Sequence, residues 1–254
     1  MELSSATLLP FAFVTALTFA ATPAGAVDGA VLITQAKANA GGVTPGDAPG
    51  FPVTITAGGS YSLASNLQVP AGLTGILVTG VEVTIDLNGF RITGGGGGSG
   101  SGIIGKQRGL TVHNGTIRAF TGDGIFSAGA MLIVSDMRIE ENGIGIRANT
   151  TANRINKSTV YGNRGVGIWC GIACLVADNV VAANSGFGVL VGNGSTILGN
   201  SVTANSGSGL AAETSGVVPA TAGYGNNTII GNGGNSLYGN MISLNPNVCN
   251  SVNC

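Results

Sequence analysis

Charged residues are scarce in this sequence. Only 8% of its 254 residues are Asp, Glu, Lys or Arg, and ten basic side chains stand against eleven acidic ones, for a formal net charge of -1. Proteins that bind nucleic acids or anionic membrane surfaces carry basic patches, and so small a supply of Lys and Arg does not provide one. The sequence therefore predicts no nucleic-acid partner.

Aromatic residues are also few, at 5% of the chain, whereas glycine is abundant with 45 residues. A core with few large rings must be built from small aliphatic side chains packed in flat layers, as in repetitive β-structure. Composition alone therefore favours a repetitive β-fold over a helical one.

The sequence repeats itself with a period of 21 or 22 residues. A glycine followed by an aliphatic residue recurs at spacings of 22, 21, 22, 21 and 21 in the pairs that begin at Gly102, Gly124, Gly145, Gly167, Gly188 and Gly209. A second apolar row with this period contains Val112, Val134, Ile155, Val176 and Ile197, and a third contains Ile117, Ile139, Val160, Val181 and Val202. Three apolar segments per period, separated by Gly or Asn, predict three strands in each coil of a solenoid.

An asparagine row accompanies the apolar rows. Its members, Asn142, Asn163, Asn184 and Asn205, are 21 residues apart and always follow the third apolar row by three residues. Asn tolerates left-handed backbone at a turn and can hydrogen-bond to an Asn stacked above it, so the row predicts one corner of each coil. Together the rows predict an all-β, single-stranded parallel β-helix of about eight coils, with a short capping helix within Val31 to Ala40.

The regular repeat sets the predicted domain boundaries. The β-helix is assigned to residues 59–213, preceded by an N-terminal cap at 27–58. Residues 214–254, where the period breaks, are predicted as an irregular coil that ends in a disulfide cap.

The first 26 residues resemble an export signal. The apolar run from Leu8 to Ala21 is followed by Ala24-Gly25-Ala26, a pattern typical of a signal peptide cleaved after Ala26. A retained anchor is the alternative, because the first ten residues contain Glu2 and no Lys or Arg. Cleavage would leave no membrane span and predicts a periplasmic or extracellular protein.

The four cysteines form two close pairs in the sequence, Cys170 with Cys174 and Cys249 with Cys254. In an oxidising compartment such pairs predict two local disulfides. A zinc site is the alternative, but the pairs lie far apart and His113 is the only histidine. The sequence therefore predicts no metal and no cofactor.

Four features of the sequence are shared with a known family: the segments Ile33 to Lys37, Gly42 to Pro52 and Val83 to Phe90, and the coils of pattern Asn-x-x-x-Gly-Ile. Through them the chain resembles exported bacterial right-handed parallel β-helix proteins of the pectate-lyase-like superfamily. The resemblance covers most of the predicted mature chain and implies right-handed winding. Since the superfamily includes polysaccharide lyases, hydrolases and epimerases, it also implies a polysaccharide as the class of ligand.

Two groups of side chains are weak candidates for a catalytic site. Alignment of the coils brings Glu140 beside Arg118 and Tyr161. Hydrolysis of a polysaccharide requires two carboxylates aimed at one sugar. A surface ion pair between Arg118 and Glu140 is the commoner explanation of such a group. A lyase or epimerase needs a base and a cation near a uronate. His113, oriented by Asp86 in the preceding coil, would supply the base, and Arg118 or Arg138 would supply the cation. The Asp-Pro-His-Asp motif of the epimerase relatives is missing.

A candidate binding surface follows from strand alternation. If the aliphatic residue after each repeat glycine points inward, the next residue points outward. The outward residues predicted to line one stripe are Phe126, Arg147, Trp169 and Leu190. Such a stripe can stack on sugar rings or dock a partner, unless the segment after Gly209 folds over it.

Two functional hypotheses follow. In the first, the protein is an exported β-helix that binds or processes a polysaccharide through a side face. In the second, it is a structural or surface-display protein without a ligand. The scarcity of charge and of paired carboxylates favours this second hypothesis.

Overall fold

The computed structural model of the protein describes residues 29–213 and 220–250. The predicted signal peptide, residues 1–26, lies outside the described residues. Within them the chain forms one helix, α1 (Gln35–Ala40), and 26 strands. No helix in this part of the chain is long and apolar enough to cross a membrane.

In chain order the strands are β1 (Val31–Ile33), β2 (Val53–Ile55), β3 (Gly59–Leu63), β4 (Leu67–Val69), β5 (Ile76–Val78), β6 (Val83–Asp86), β7 (Arg91–Gly94), β8 (Ile103–Gly105), β9 (Thr111–Arg118), β10 (Ile125–Ser127), β11 (Ile133–Glu140), β12 (Ile146–Ala148), β13 (Arg154–Asn156), β14 (Thr159–Tyr161), β15 (Ile168–Cys170), β16 (Leu175–Ala177), β17 (Val180–Ala182), β18 (Val189–Val191), β19 (Thr196–Leu198), β20 (Ser201–Thr203), β21 (Leu210–Ala212), β22 (Thr221–Gly225), β23 (Thr228–Ile230), β24 (Leu237–Tyr238), β25 (Asn240–Ser243) and β26 (Val248–Cys249).

The strands stack in parallel into two sheets that enclose a single core. A nine-stranded sheet, named face 1, contains β2, β5, β8, β10, β12, β15, β18, β21 and β24. A 17-stranded sheet supplies two further faces, because its long strands β9 and β11 each bend at a residue with left-handed backbone, Asn114 and Asp136. Face 2 runs through β6, β13, β16 and β19, and face 3 through β7, β14, β17 and β20. The fold is the predicted all-β parallel β-helix.

The solenoid has nine coils, counted on face 1, where about eight were predicted. Strands β1 and β2 lie in the segment 27–58 predicted as a cap, and β22 to β26 lie in the segment 214–254 predicted as irregular. Both segments therefore add strands to the sheets. Their side chains do not keep the 21-residue period, so the repeat alone does not show them.

The three apolar rows of the sequence form the core. Ile125, Ile146 and Ile168 stack in register on face 1 and are fully buried. The second row, with Val134 and Ile155, is buried on face 2, and the third, with Ile139 and Val160, on face 3. Since apolar area removed from water stabilises a fold by about 25 cal/mol per Å², stacking like residues in every coil makes each coil stabilise its neighbours.

The asparagine row is a continuous hydrogen-bonded ladder between face 3 and face 1. The side-chain oxygen of Asn184 accepts hydrogen bonds from the backbone N–H (3.0 Å) and the side-chain amide (2.9 Å) of Asn163. The Asn184 amide in turn donates to the oxygen of Asn205 (2.8 Å) and to the carbonyl of Val160 (3.2 Å). Asn232 extends the ladder by one coil. The polar groups at each buried corner are thereby hydrogen-bonded, as burial of polar backbone requires.

A second ladder, which the sequence reasoning missed, lies between faces 2 and 3. Asn179, Asn200, Asn227 and Asn247 are joined in the same way, with oxygen accepting from both nitrogens of the preceding Asn. Below Asn179 the place of an Asn is taken by Ser158, where the row begins.

The left-handed residue at each corner is not the ladder Asn itself, and the sequence interpretation was wrong on this point. Positive φ angles belong to the residue just before, such as Glu141 (φ 59°), Ala183 (φ 55°) and Ala204 (φ 54°). The Asn is therefore selected for its hydrogen bonds and not for its backbone. A non-glycine residue in this conformation costs about 1 kcal/mol.

The N-terminal helix is shorter than predicted. Val31–Ile33 forms β1, which pairs with β3 on face 2, and only Gln35–Ala40 is helical. The helix begins where the Thr34 hydroxyl accepts a hydrogen bond from the Lys37 N–H at 3.1 Å, and its Ala38 packs into the core.

Cys170 and Cys174 form a disulfide with Cα atoms 6.2 Å apart. It joins the end of β15 on face 1 to the turn before β16, and both residues are buried. The other predicted disulfide involves Cys254, which lies outside the described residues, and it stays a prediction.

We expect mass spectrometry of unreduced protein to find Cys170 linked to Cys174. The closed loop is short, so chain entropy predicts that replacing both cysteines by alanine lowers the free energy of unfolding by about 2 kcal/mol or less. Chemical denaturation of the double-alanine variant measures this change. Alkylatable thiols at both positions in unreduced protein would contradict the assignment.

Candidate functional site

The four residues of the predicted outward stripe stack in register on face 1. Phe126 pairs with Arg147, Arg147 with Trp169, and Trp169 with Leu190. Their inward neighbours are buried completely, as Ile168 beside Trp169 illustrates, whereas all four stripe residues are partly exposed. In register the stripe extends further in both directions, and this face 1 column comprises Thr54, Leu77, Ile104, Phe126, Arg147, Trp169, Leu190, Ala211 and Tyr238.

A neighbouring column runs beside the first, two residues before the inward position of each strand. Backbone hydrogen bonds from each repeat glycine to the coil above keep it in register, and its members are Asp123, Ile144, Val166, Phe187, Ser208 and Asn235. Phe187 and Tyr238 join the two columns, with ring centroids 5.7 Å apart. Ile144, Val166 and Phe187 are partly exposed.

The aromatic residues Phe187 and Tyr238 also belong to this surface, although neither was predicted from the sequence. Phe187 belongs to a row with spacings of 21, 22 and 21 that starts at Asp123, so the same search for periods would have found it. Tyr238 follows the break in the repeat near residue 217, and no spacing connects it to Leu190.

Arg147 is held in place by two partners. Its Nε and one terminal nitrogen lie 2.8 and 2.6 Å from Oδ2 of Asp123. Its guanidinium also lies over the Phe126 ring, with 4.7 Å to the centroid, a favourable cation–π distance. The Asp123 side chain is only 7% exposed, and this burial raises the pKa of its carboxyl, an effect that the hydrogen bond from Arg147 opposes.

The column is open in its middle. Trp169 and Leu190 keep part of their surface exposed, whereas Ala211, in the next coil, is fully buried. Residues 220–250 therefore do not bury Trp169, although the sequence left that possibility open. Residues 214–219 lie outside the described part.

The predicted His113 and Asp86 lie in register on face 2, with Nδ1 of His113 3.7 Å from Oδ1 of Asp86. That separation is too long for a hydrogen bond. The same oxygen of Asp86 accepts from the N–H of Asn88 at 2.7 Å and from the side-chain amide of Asn114 at 3.0 Å. Asp86 thus stabilises the turn of its own coil and its contact with the next coil, and it makes no hydrogen bond to the imidazole.

The predicted group around Glu140 lies on face 3. Arg118 contacts Glu140 at 3.6 Å and Glu141 at 2.5 Å, so its charge is compensated twice. Tyr161 is in register with Glu140 and 51% exposed. His113 and Arg118 stand on opposite sides of the bend in β9, and the arrangement does not bring this base and this cation onto one face.

No group of three or more His, Cys, Asp or Glu side chains within residues 29–213 and 220–250 could hold a metal ion. An open depression of about 550 Å³ lies beside face 3, lined by Glu141, Arg164 and several glycines. Arg164 donates to the carbonyl of Phe120 at 2.6 Å, which ties this cation to the backbone.

Comparison with known proteins agrees with this architecture. The family model of the right-handed β-helix region matches residues 74–232, which is more than half of the chain. No curated protein and no solved structure matches the chain. The matched residues include every coil of regular period, their core rows and the first asparagine ladder, and the chain therefore belongs to the right-handed β-helix family.

Proposed function

We propose that this protein binds a polysaccharide along face 1, parallel to the axis of the solenoid. One observation carries the proposal: partly exposed aromatic and aliphatic side chains, with Phe126 and Trp169 among them, stack in register on a flat sheet. Sugar rings present C–H faces that pack on aromatic rings, and an apolar row on a protein surface is a recognised sign of a ligand or partner site.

The geometry of the column suits an extended chain. From Ile104 to Tyr238 it crosses seven coils, and at a strand spacing of about 4.8 Å this gives a binding surface of roughly 29 Å. Successive residues of an extended polysaccharide are about as long as this spacing, so sugar units and coils can stay in step.

Binding is supported better than hydrolysis on this face. Glycosidic hydrolysis needs two carboxylates on opposite sides of one bond. Asp123 is the only carboxylate of the two columns in the described residues, and it forms an ion pair with Arg147. The lyase or epimerase hypothesis, with His113 as base, and the structural hypothesis each predict a different experimental result.

The proposal includes export to the periplasm or the cell exterior, where polysaccharides are encountered. The Cys170–Cys174 disulfide is compatible with an oxidising compartment. Membership of the pectate-lyase-like superfamily, suggested by the resemblance of the sequence, belongs to the same proposal.

We expect Trp169→Ala to weaken glycan binding about thirtyfold, since loss of a central aromatic contact typically costs about 2 kcal/mol. Tyr161→Ala is the matched control, because Tyr161 is an exposed aromatic residue on face 3. Isothermal titration against a panel of oligosaccharides measures both variants.

Other outcomes would favour the alternatives. Turnover that releases unsaturated sugars and is lost in His113→Ala would support a lyase. Absence of any glycan binding, together with a wild-type dimer that Trp169→Ala dissociates in sedimentation, would make face 1 a contact between copies. Iodide quenching of Trp169 fluorescence tests whether this face is open in solution.

A further inference from the structure

The charge state of face 1 narrows the class of its ligand. An acidic polysaccharide carries one carboxylate on each uronate unit and needs cations on the protein to offset the loss of solvation. Arg147 is the only Lys or Arg of the two columns within the described residues. The ligand therefore depends on whether Arg147 is free to bind an outside carboxylate.

Arg147 is not free. Two of its nitrogens bind one oxygen of Asp123, at 2.6 and 2.8 Å, and Phe126 lies beneath its guanidinium. Turning the guanidinium toward a ligand would leave the 7% exposed Asp123 carboxylate without its cation. Leaving this buried carboxylate without a cation is strongly unfavourable, so the ion pair competes directly with a uronate.

The row that borders the column on its other side adds no cation near its centre. This row consists of the residue directly after each strand of face 1. Its members beside the middle coils are Ala128, Asn149, Gly171 and Gly192. Lys106 and Glu213 lie toward opposite ends of the row, with opposite charges. Asn149 is exposed and can hydrogen-bond to a hydroxyl group.

We propose that the ligand of face 1 is a neutral polysaccharide whose sugar rings present flat apolar faces, and that Asp123 excludes acidic chains by neutralising Arg147. The inference rests on the proposed function and adds its specificity. Contact with Trp169 and Leu190 supplies apolar area, and the small bordering residues leave room for a broad, flat chain.

The test compares two oligosaccharides of equal length, cellohexaose and hexagalacturonate. We expect wild-type protein to prefer the neutral hexamer at least tenfold, or about 1.4 kcal/mol. Its affinity should stay constant from low to high salt, since no charge is shared with the ligand.

Asp123→Asn should release the charge of Arg147 and create binding to hexagalacturonate that weakens as salt is added. Asp178→Asn is the matched control, because it removes one exposed carboxylate from a turn between faces 2 and 3 and changes the net charge equally. We expect it to leave hexagalacturonate unbound.

The outcomes separate the two proposals. If wild-type protein binds neither hexamer nor longer neutral chains, the proposed function fails. If it binds hexagalacturonate more tightly, or if neutral binding falls with salt, polysaccharide binding stands and the inference is overturned. Equal behaviour of Asp123→Asn and Asp178→Asn also overturns it, and the wild-type salt series remains decisive if Asp123→Asn does not fold.

Discussion

Ile168→Asp should prevent the solenoid from folding, whereas Trp169→Ser, at the next residue, should leave it folded. Ile168 is completely buried between Ile146 and Val189 on face 1, and no cation faces it from these neighbours. An unpaired charge there costs more than about 5 kcal/mol, which is comparable to the total stability of a typical domain. Trp169 points outward and is partly exposed, so its loss should cost about 1 to 2 kcal/mol.

Soluble yield, far-ultraviolet circular dichroism and resistance to protease measure the two variants. Ile168→Asn, which is similar in size to Asp and carries no charge, separates the cost of charge from the cost of polarity and should be intermediate. Equal damage by Ile168→Asp and Trp169→Ser would contradict the assignment of inward and outward residues.

Gly167→Ala should destabilise the protein by about 3 kcal/mol through overpacking. A Cβ atom at this position would lie 2.7 Å from the carbonyl oxygen of Gly188, 2.7 Å from a methyl group of Val181 and 2.8 Å from the side-chain nitrogen of Asn184. Two of these neighbours are backbone or ladder groups that cannot move without loss of hydrogen bonds. Glycine therefore recurs before every regular strand of face 1 for lack of space and not for its flexibility.

Gly162→Ala is the control for that prediction. Gly162 has φ +64° and nothing within 4 Å of an added Cβ, and the equivalent residues of the next two coils are Ala183 and Ala204. Only backbone strain of about 1 kcal/mol is expected. Thermal or urea unfolding compares the variants, and a larger loss for Gly162→Ala than for Gly167→Ala would contradict the steric explanation.

The core could be predicted because its residues repeat. Stacked coils place chemically equivalent positions above one another, so burial, the repeat glycines and the first asparagine ladder all leave a 21- or 22-residue period. The second ladder was missed because Ser158 replaces Asn in its first place and because its later members, Asn200 and Asn227, are 27 residues apart.

The neutralisation of Arg147 could not be predicted in the same way. Asp123 and Arg147 are 24 residues apart and belong to different columns, so no row of the repeat contains both. A period shows which residues stack, but the contact between two columns depends on how far the side chains reach across the sheet. The sequence thus predicted the stripe but not the charge that it presents.

The asparagine ladders also bear on how molecules of this kind change length. Each ladder Asn bonds to the coil directly above it, as Asn163 does to Asn184, and the same contact recurs at the next step. Gene duplication that inserts one whole coil would restore every hydrogen bond at the new junction, whereas an insertion inside a strand would shift its residues out of register with the core rows. Lineages can therefore lengthen or shorten the surface of face 1 in single-coil steps without inventing new loops.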